Sequence, residues 1–163
     1  MDWVVAIVIF LHIMGAIVAF GPGFAFLILG PMSGREPQHA NFAIRFQERV
    51  SVRLVVPLAL LQGITGLLIV YLAGINLFTT LWLLVSIVLY LVALTNAFVV
   101  LIPTARKLVE ATSAPPPPPA PDAPPRTGPP PHIAALVRRA RMAGMANLAL
   151  IVVIVFLMVT KPF

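Results

Sequence analysis

The chain has 163 residues, of which 60% are apolar and only 10% charged, against about 25% charged in a soluble domain. That composition excludes a soluble globular protein, and the apolar stretches take up so much of the length that no separate catalytic domain fits beside them. With no cysteine, disulfides, thiolate catalysis, Cys-ligated zinc and iron–sulfur clusters are also excluded.

Four apolar runs, at about 3–29, 54–73, 81–102 and 142–160, are each long enough to cross roughly 30 Å of hydrocarbon at about 1.5 Å per residue. A barrel strand would alternate apolar and polar residues, whereas Ile64 to Leu72 and Leu148 to Val159 are continuous, so the spans are helices. The expectation is an all-α polytopic membrane protein: one transmembrane domain over 1–163, folded as a four-helix antiparallel bundle. The first run is too long for a signal-peptide core and follows Asp2, not a basic segment, so it reads as a retained span.

In span one, His12 lies nine residues below Trp3, about 13 Å deep if Trp3 marks the interface, which is near the midplane. Gly15, Ala19 and Gly23 recur every four residues and form a seam that admits a close helix neighbour, in this chain or in another. Gly21, Pro22 and Gly23 in a row predict a kink or an unwound turn.

The stretch from Pro37 to Val52 mixes Phe42, Ile44, Phe46 and Val50 with Arg45, Arg49 and Arg53. Cations every four residues form one stripe on a helix, which reads as facing headgroups or a partner, and Glu48 is placed to pair with Arg45. Span two then carries Pro57, Gln62 and Thr65, and span three carries Ser86, Tyr90 and Asn96. Counted from Tyr71 and Trp82, Gln62 and Tyr90 fall at the depth of His12, so these three residues are expected to form a polar layer with Thr65 and Ser86 one turn away. Asn96 and Asn147 both lie toward the inner ends of spans three and four and are expected to tie them together.

Eleven of the seventeen prolines fall between Ala111 and Pro131, a composition that predicts an extended, disordered loop at 111–131. Arg138, Arg139 and Arg141 follow as a cluster suited to lipid headgroups. Ten of the eleven Lys and Arg residues lie in the loops between spans one and two and between spans three and four, Lys161 being the exception. Basic short loops stay in the cytoplasm, so both termini are expected outside. The net charge of +6 therefore reflects orientation and attraction to the lipid bilayer, and no nucleic-acid partner is expected.

The stretches LHIMGAIVAFGPGFAFLILG at 11–30, ERVSVRLVVPLALLQGITGLLIV at 48–70, WLLVSIVLYLVAL at 82–94 and LMVTKPF at 157–163 resemble a bacterial family of small four-helix predicted integral membrane proteins of unknown function (DUF2269-type). The resemblance implies a bacterial inner-membrane location and supplies no reaction. More distantly, His12 followed by Phe20-Gly21 and Gly23 is similar to the first helix of CopD-type copper-resistance proteins and HemJ-type protoporphyrinogen oxidases, which use an intramembrane histidine. In this chain Phe20 stands where Trp is usual, Pro22 interrupts the glycines, and His39 and His132 both fall outside the spans.

Three readings follow. The first is a non-enzymatic helix-packing or accessory subunit that meets a second copy or a membrane-complex partner through Gly15, Ala19 and Gly23. In the second, a membrane redox protein uses His12 to bind haem b or copper while Gln62 and Tyr90 tune it. The third is a small-solute or proton carrier built on the break at Gly21–Gly23 and the His12 layer. No catalytic residue and no separate metal centre are expected.

Overall fold

The computed structural model describes residues 3–113 and 128–162. Its helices are α1 (Trp3–Arg35), α2 (Pro37–Val50), α3 (Val56–Leu72), α4 (Leu81–Asn96), α5 (Ile102–Ser113) and α6 (Pro131–Thr160), with π-helical turns at Ser51–Val55 between α2 and α3 and at Ala97–Leu101 between α4 and α5. They build four rods of membrane-spanning length and composition: Trp3–Arg35, Gln38–Leu72, Leu81–Ser113 and Pro131–Thr160, of 33, 35, 33 and 30 residues. At about 1.5 Å per residue each rod runs roughly 45–52 Å, longer than a hydrocarbon core of about 30 Å. The surplus lies at the Arg-rich end, where α2, α5 and the first turns of α6 extend the apolar runs.

The two π turns share a cause visible in the sequence. Val56 and Ile102, the residues just before Pro57 and Pro103, donate their N–H groups five residues back, to the Ser51 and Ala97 carbonyls. A proline two residues into a helical segment has no N–H to give and its ring crowds the carbonyl four residues earlier; one wider turn relieves that crowding without breaking the rod. Pro22, by contrast, is absorbed without any change of helix type: α1 runs unbroken through Gly21, Pro22 and Gly23, so the expected unwound turn does not form. Leu148 of α6 stands against Gly23, where a Cβ would lie 3.6 Å from it, and one missing hydrogen bond does not open the helix.

Leu72 ends α3 in a Schellman motif, with Gly74 at φ +63°, its N–H on the Tyr71 carbonyl at 3.2 Å and the Ile75 N–H on the Val70 carbonyl at 3.1 Å. At the far end of α6, Lys161 takes φ 43° and closes the helix on Leu157, while its ammonium lies 5.8 Å from the Trp82 ring centroid at the start of α4. Of the proline-rich stretch, 114–127 lies outside the described residues; Ala111–Ser113 belong to α5, and Pro131 opens α6 at a position where a missing N–H costs nothing.

The rods pack as two hairpins, α1 on α3 and α4 on α6, joined where α1 meets α6; at the Arg-rich end α2 packs on α5 and α1, and α5 on α6. Small side chains are prominent in these contacts: Ala19, Ala59, Ala93 and Ser86 are buried together with Val8, Val70, Leu83 and Leu157, and Ala43, Thr104 and Leu108 are buried where α2 meets α5. Large apolar side chains such as Phe10, Ile17, Ile64 and Phe156 point outward. That inversion of a soluble core suits a solvent as apolar as leucine.

Candidate functional site

The polar groups that the helices carry into the membrane cluster at three places. At the first, α1 lies against α3. The Thr65 hydroxyl donates to its own helix, 3.0 Å from the Leu61 carbonyl and 3.2 Å from that of Gln62, as threonine does inside helices. With that proton engaged, the 2.9 Å bond between Thr65 Oγ1 and His12 Nδ1 runs from imidazole to hydroxyl. In the neutral ring Nε2 then keeps the free lone pair. Gln62 Nε2 donates to the His12 carbonyl at 2.8 Å.

Glycines make this contact close. A Cβ on Gly66 would lie 3.2 Å from His12 Cε1, and one on Gly15 would lie 2.8 Å from Gln62 Oε1. The hydrogen that Gly15 carries in that place points at the amide oxygen, a weak Cα–H···O contact. The segment QGITG at 62–66 thus sets two hydrogen-bonding side chains beside two residues small enough to receive α1 and α4.

Tyr90 forms the second cluster. Its hydroxyl donates to the Ala59 carbonyl at 2.8 Å and its ring lies over Gly63, where a Cβ would meet the hydroxyl at 2.6 Å. At about 100° per residue, Ala59 and Gly63 face one sector of α3, while Gln62 and Thr65 face the next. Tyr90 and His12 therefore dock on adjacent sectors of α3, the Tyr90 contacts about one turn nearer the Arg-rich end. Ser86 stays apart as well, buried and bonded to the Trp82 carbonyl on its own helix at 2.8 Å. The expected five-residue layer resolves into His12–Gln62–Thr65 and a separate Tyr90 bridge.

The third cluster joins α4 to α6: Asn96 Nδ2 donates to the Ala143 carbonyl and to Asn147 Oδ1, both at 3.0 Å. The small-residue seam of α1 is occupied within the chain. Ala19 is completely buried, Gly15 faces Gln62, and a Cβ on Gly23 would stand 3.6 Å from Leu148 of α6. This seam is therefore not left open for a second molecule, because α3 and α6 already fill it.

At the Arg-rich end, Asn41 Nδ2 reaches Thr112 at 3.0 Å and Ser113 at 3.3 Å, a tie between α2 and α5 that the sequence reading missed. Arg138, Arg139 and Arg141 are exposed on α6. Glu48 does not pair with Arg45; instead Phe42 and Phe46 stack, and a cleft of about 160 Å³ opens between them and Arg45 and Arg49.

Donors for a cofactor are sparse. No group of three His, Asp or Glu side chains that could hold a metal ion occurs among the described residues, and His39 and His132 are exposed at the Arg-rich end. Haem held by two imidazoles does not fit one copy of this chain, because His12 is the one histidine inside the apolar runs; its ring packs on Gly66, where a Cβ would stand 3.2 Å from Cε1.

Four long apolar helices with polar groups turned toward one another define an integral membrane protein. Over residues 6–162 the sequence matches the family described as "Predicted integral membrane protein (DUF2269)", and the chain belongs to that family. No curated protein and no solved structure matches it.

Proposed function

We propose that this protein is a non-enzymatic accessory subunit of the bacterial inner membrane, with its Arg-rich end in the cytoplasm and both ends of the chain on the outer face. The orientation rests on the positive-inside distribution of Lys and Arg. The observation that carries the functional reading is polar saturation: among the described residues no buried side-chain nitrogen or oxygen lacks a hydrogen-bond partner. His12, Gln62, Tyr90, Asn96 and Asn147 all bond across helices, which is how membrane helices are held together. With the seam of α1 filled, a partner or second copy would meet the outer faces of the rods.

One observation favours a second reading: the tautomer set by Thr65 leaves His12 Nε2 free, as in histidines whose other nitrogen donates to a neighbour while the ring binds a metal. The resemblance to CopD- and HemJ-type proteins points the same way. The deciding experiment is the oxidised and dithionite-reduced visible spectrum of detergent-purified protein from haem- and copper-replete cells, with metal analysis of the same sample. Colourless, metal-free protein is expected. A Soret band that shifts on reduction and disappears in His12→Ala would overturn the accessory reading. Proton or solute uptake by proteoliposomes that depends on His12 and Pro22 would overturn it in favour of a carrier.

A further inference from the structure

The exposed side of α2 sets open aromatic rings beside arginines. Phe42, Arg45, Phe46 and Arg49 stand at i, i+3, i+4 and i+7, so they share one face, and Phe42 and Phe46 keep 66% and 49% of their surface open. The two rings are near-parallel, with centroids 6.4 Å apart and planes 20° from one another. Between them and the two guanidinium groups lies the cleft of about 160 Å³. Neither Arg45 nor Arg49 forms an ion pair among the described residues. Uncompensated cations beside open phenyl groups call for an occupant that is anionic at one end and carbon-rich at the other.

Position selects among such occupants. Arg53 directly precedes Leu54, the first exposed apolar side chain of the membrane part of this rod. Counting back at about 1.5 Å per residue, Arg49 falls roughly 6 Å and Arg45 roughly 12 Å beyond that edge, within reach of a headgroup layer some 5–8 Å thick once a long side chain snorkels. We propose that the cleft of α2 binds one anionic phospholipid of the cytoplasmic leaflet. Its phosphate is held between Arg45 and Arg49 by the fork geometry of guanidinium, its headgroup carbons lie against Phe46, which Phe42 backs, and its acyl chains run past Leu54 along α3. The assignment of leaflet rests on the orientation proposed above; the site itself does not.

Native mass spectrometry of the detergent-purified protein with added phosphatidylglycerol or phosphatidylcholine tests the site independently of orientation. Preferential retention of phosphatidylglycerol is expected. Loss of about 1 kcal/mol for each basic residue near a lipid surface converts to about 30-fold weaker retention in R45Q/R49Q, with R45K/R49K recovering only part of it because an ammonium lacks the guanidinium fork, and F42A/F46A losing the preference for lipid over inorganic phosphate. The variant K161Q, altered at the basic residue of the opposite end of the rods, is expected to keep the bound lipid. Equal retention of the two lipids, full retention in R45Q/R49Q, an equal loss in K161Q, or displacement by inorganic phosphate at the lipid's own concentration would each overturn the proposal. Circular dichroism of every variant separates loss of lipid from loss of fold.

Discussion

Gly63 and Tyr90 show how finely a single residue is matched to its place. In Gly63→Ala the new methyl would meet the tyrosine hydroxyl at 2.6 Å and its ring carbons at 3.1 and 3.2 Å, so the whole ring must move and the bond to Ala59 is lost. Overpacking of this kind costs about 1–3 kcal/mol. Tyr90→Phe removes the closest atom, so Gly63→Ala is expected to cost less in a Tyr90→Phe background, a coupling that a double-mutant cycle of unfolding midpoints in mixed micelles measures. Purely additive losses would show that ring and glycine do not meet. Asn96 and Asn147 give an asymmetric pair: Asn96 donates two bonds whereas Asn147 accepts one. At about 0.6–1.7 kcal/mol per interhelical bond, Asn96→Ala is expected to lower stability more than Asn147→Ala in the same assay.

Depth was legible in the sequence to within about one turn: counting residues from Trp3, Tyr71 and Trp82 places His12, Gln62 and Tyr90 at one level, and on α3 the Tyr90 contacts fall about a turn from those of His12. Azimuth was not. Which sector of α3 each neighbour uses depends on the crossing of three helices, so Tyr90 parted from His12, and Ser86 turned to its own backbone. The Glu48–Arg45 pair failed for a related reason: an exposed ion pair is worth only a few tenths of a kcal/mol, too little to hold either side chain.

Among the elements, the apolar runs located all four rods, but their ends moved outward. Membrane hydropathy marks where hydrocarbon stops, and α2, α5 and the start of α6 continue beyond it on amphipathic sequence. The π turns were not foreseen; their signal is the spacing of Pro57 and Pro103 behind each widened turn. A π turn holds one residue more than the α-helical path needs, so deleting Val52 within it is expected to keep α2 and α3 in phase, with a midpoint within about 1 kcal/mol of the parent. Deleting Leu60, which is 45% exposed, rotates Gln62 and Thr65 by about 100° against Ala59 and is expected to cost about 2–4 kcal/mol. Equal losses for the two deletions would mean that the widened turn holds no slack.

For the molecule as a whole, the absence of cysteine makes topology directly measurable. A single cysteine replacing Phe78, which is 90% exposed in the α3–α4 turn, is expected to react with a membrane-impermeant maleimide in intact cells. One replacing His132 at the start of α6 is expected to react only after the membrane is opened. The reverse pattern would invert the proposed orientation and move the α2 cleft to the other leaflet. The class of fold was readable from composition together with the length and continuity of the apolar runs. The pairing of rods was not, since small-residue seams record that a close neighbour exists without recording which one.

That pairing has a consequence for how the chain is made. The first two rods complete the bonds of His12, Gln62 and Thr65 between themselves, and the last two complete the Asn96–Asn147 pair. As the ribosome delivers the rods in order, each newly released pair can leave the insertion machinery with its amides and imidazole already matched. Among the described residues, the side-chain bonds that join one pair to the other are that of Tyr90 to the Ala59 carbonyl and those of Asn41 to Thr112 and Ser113, and all of them wait for the third rod. Biogenesis would then proceed in two quanta, and the turn at 73–80 would be the natural pause between them.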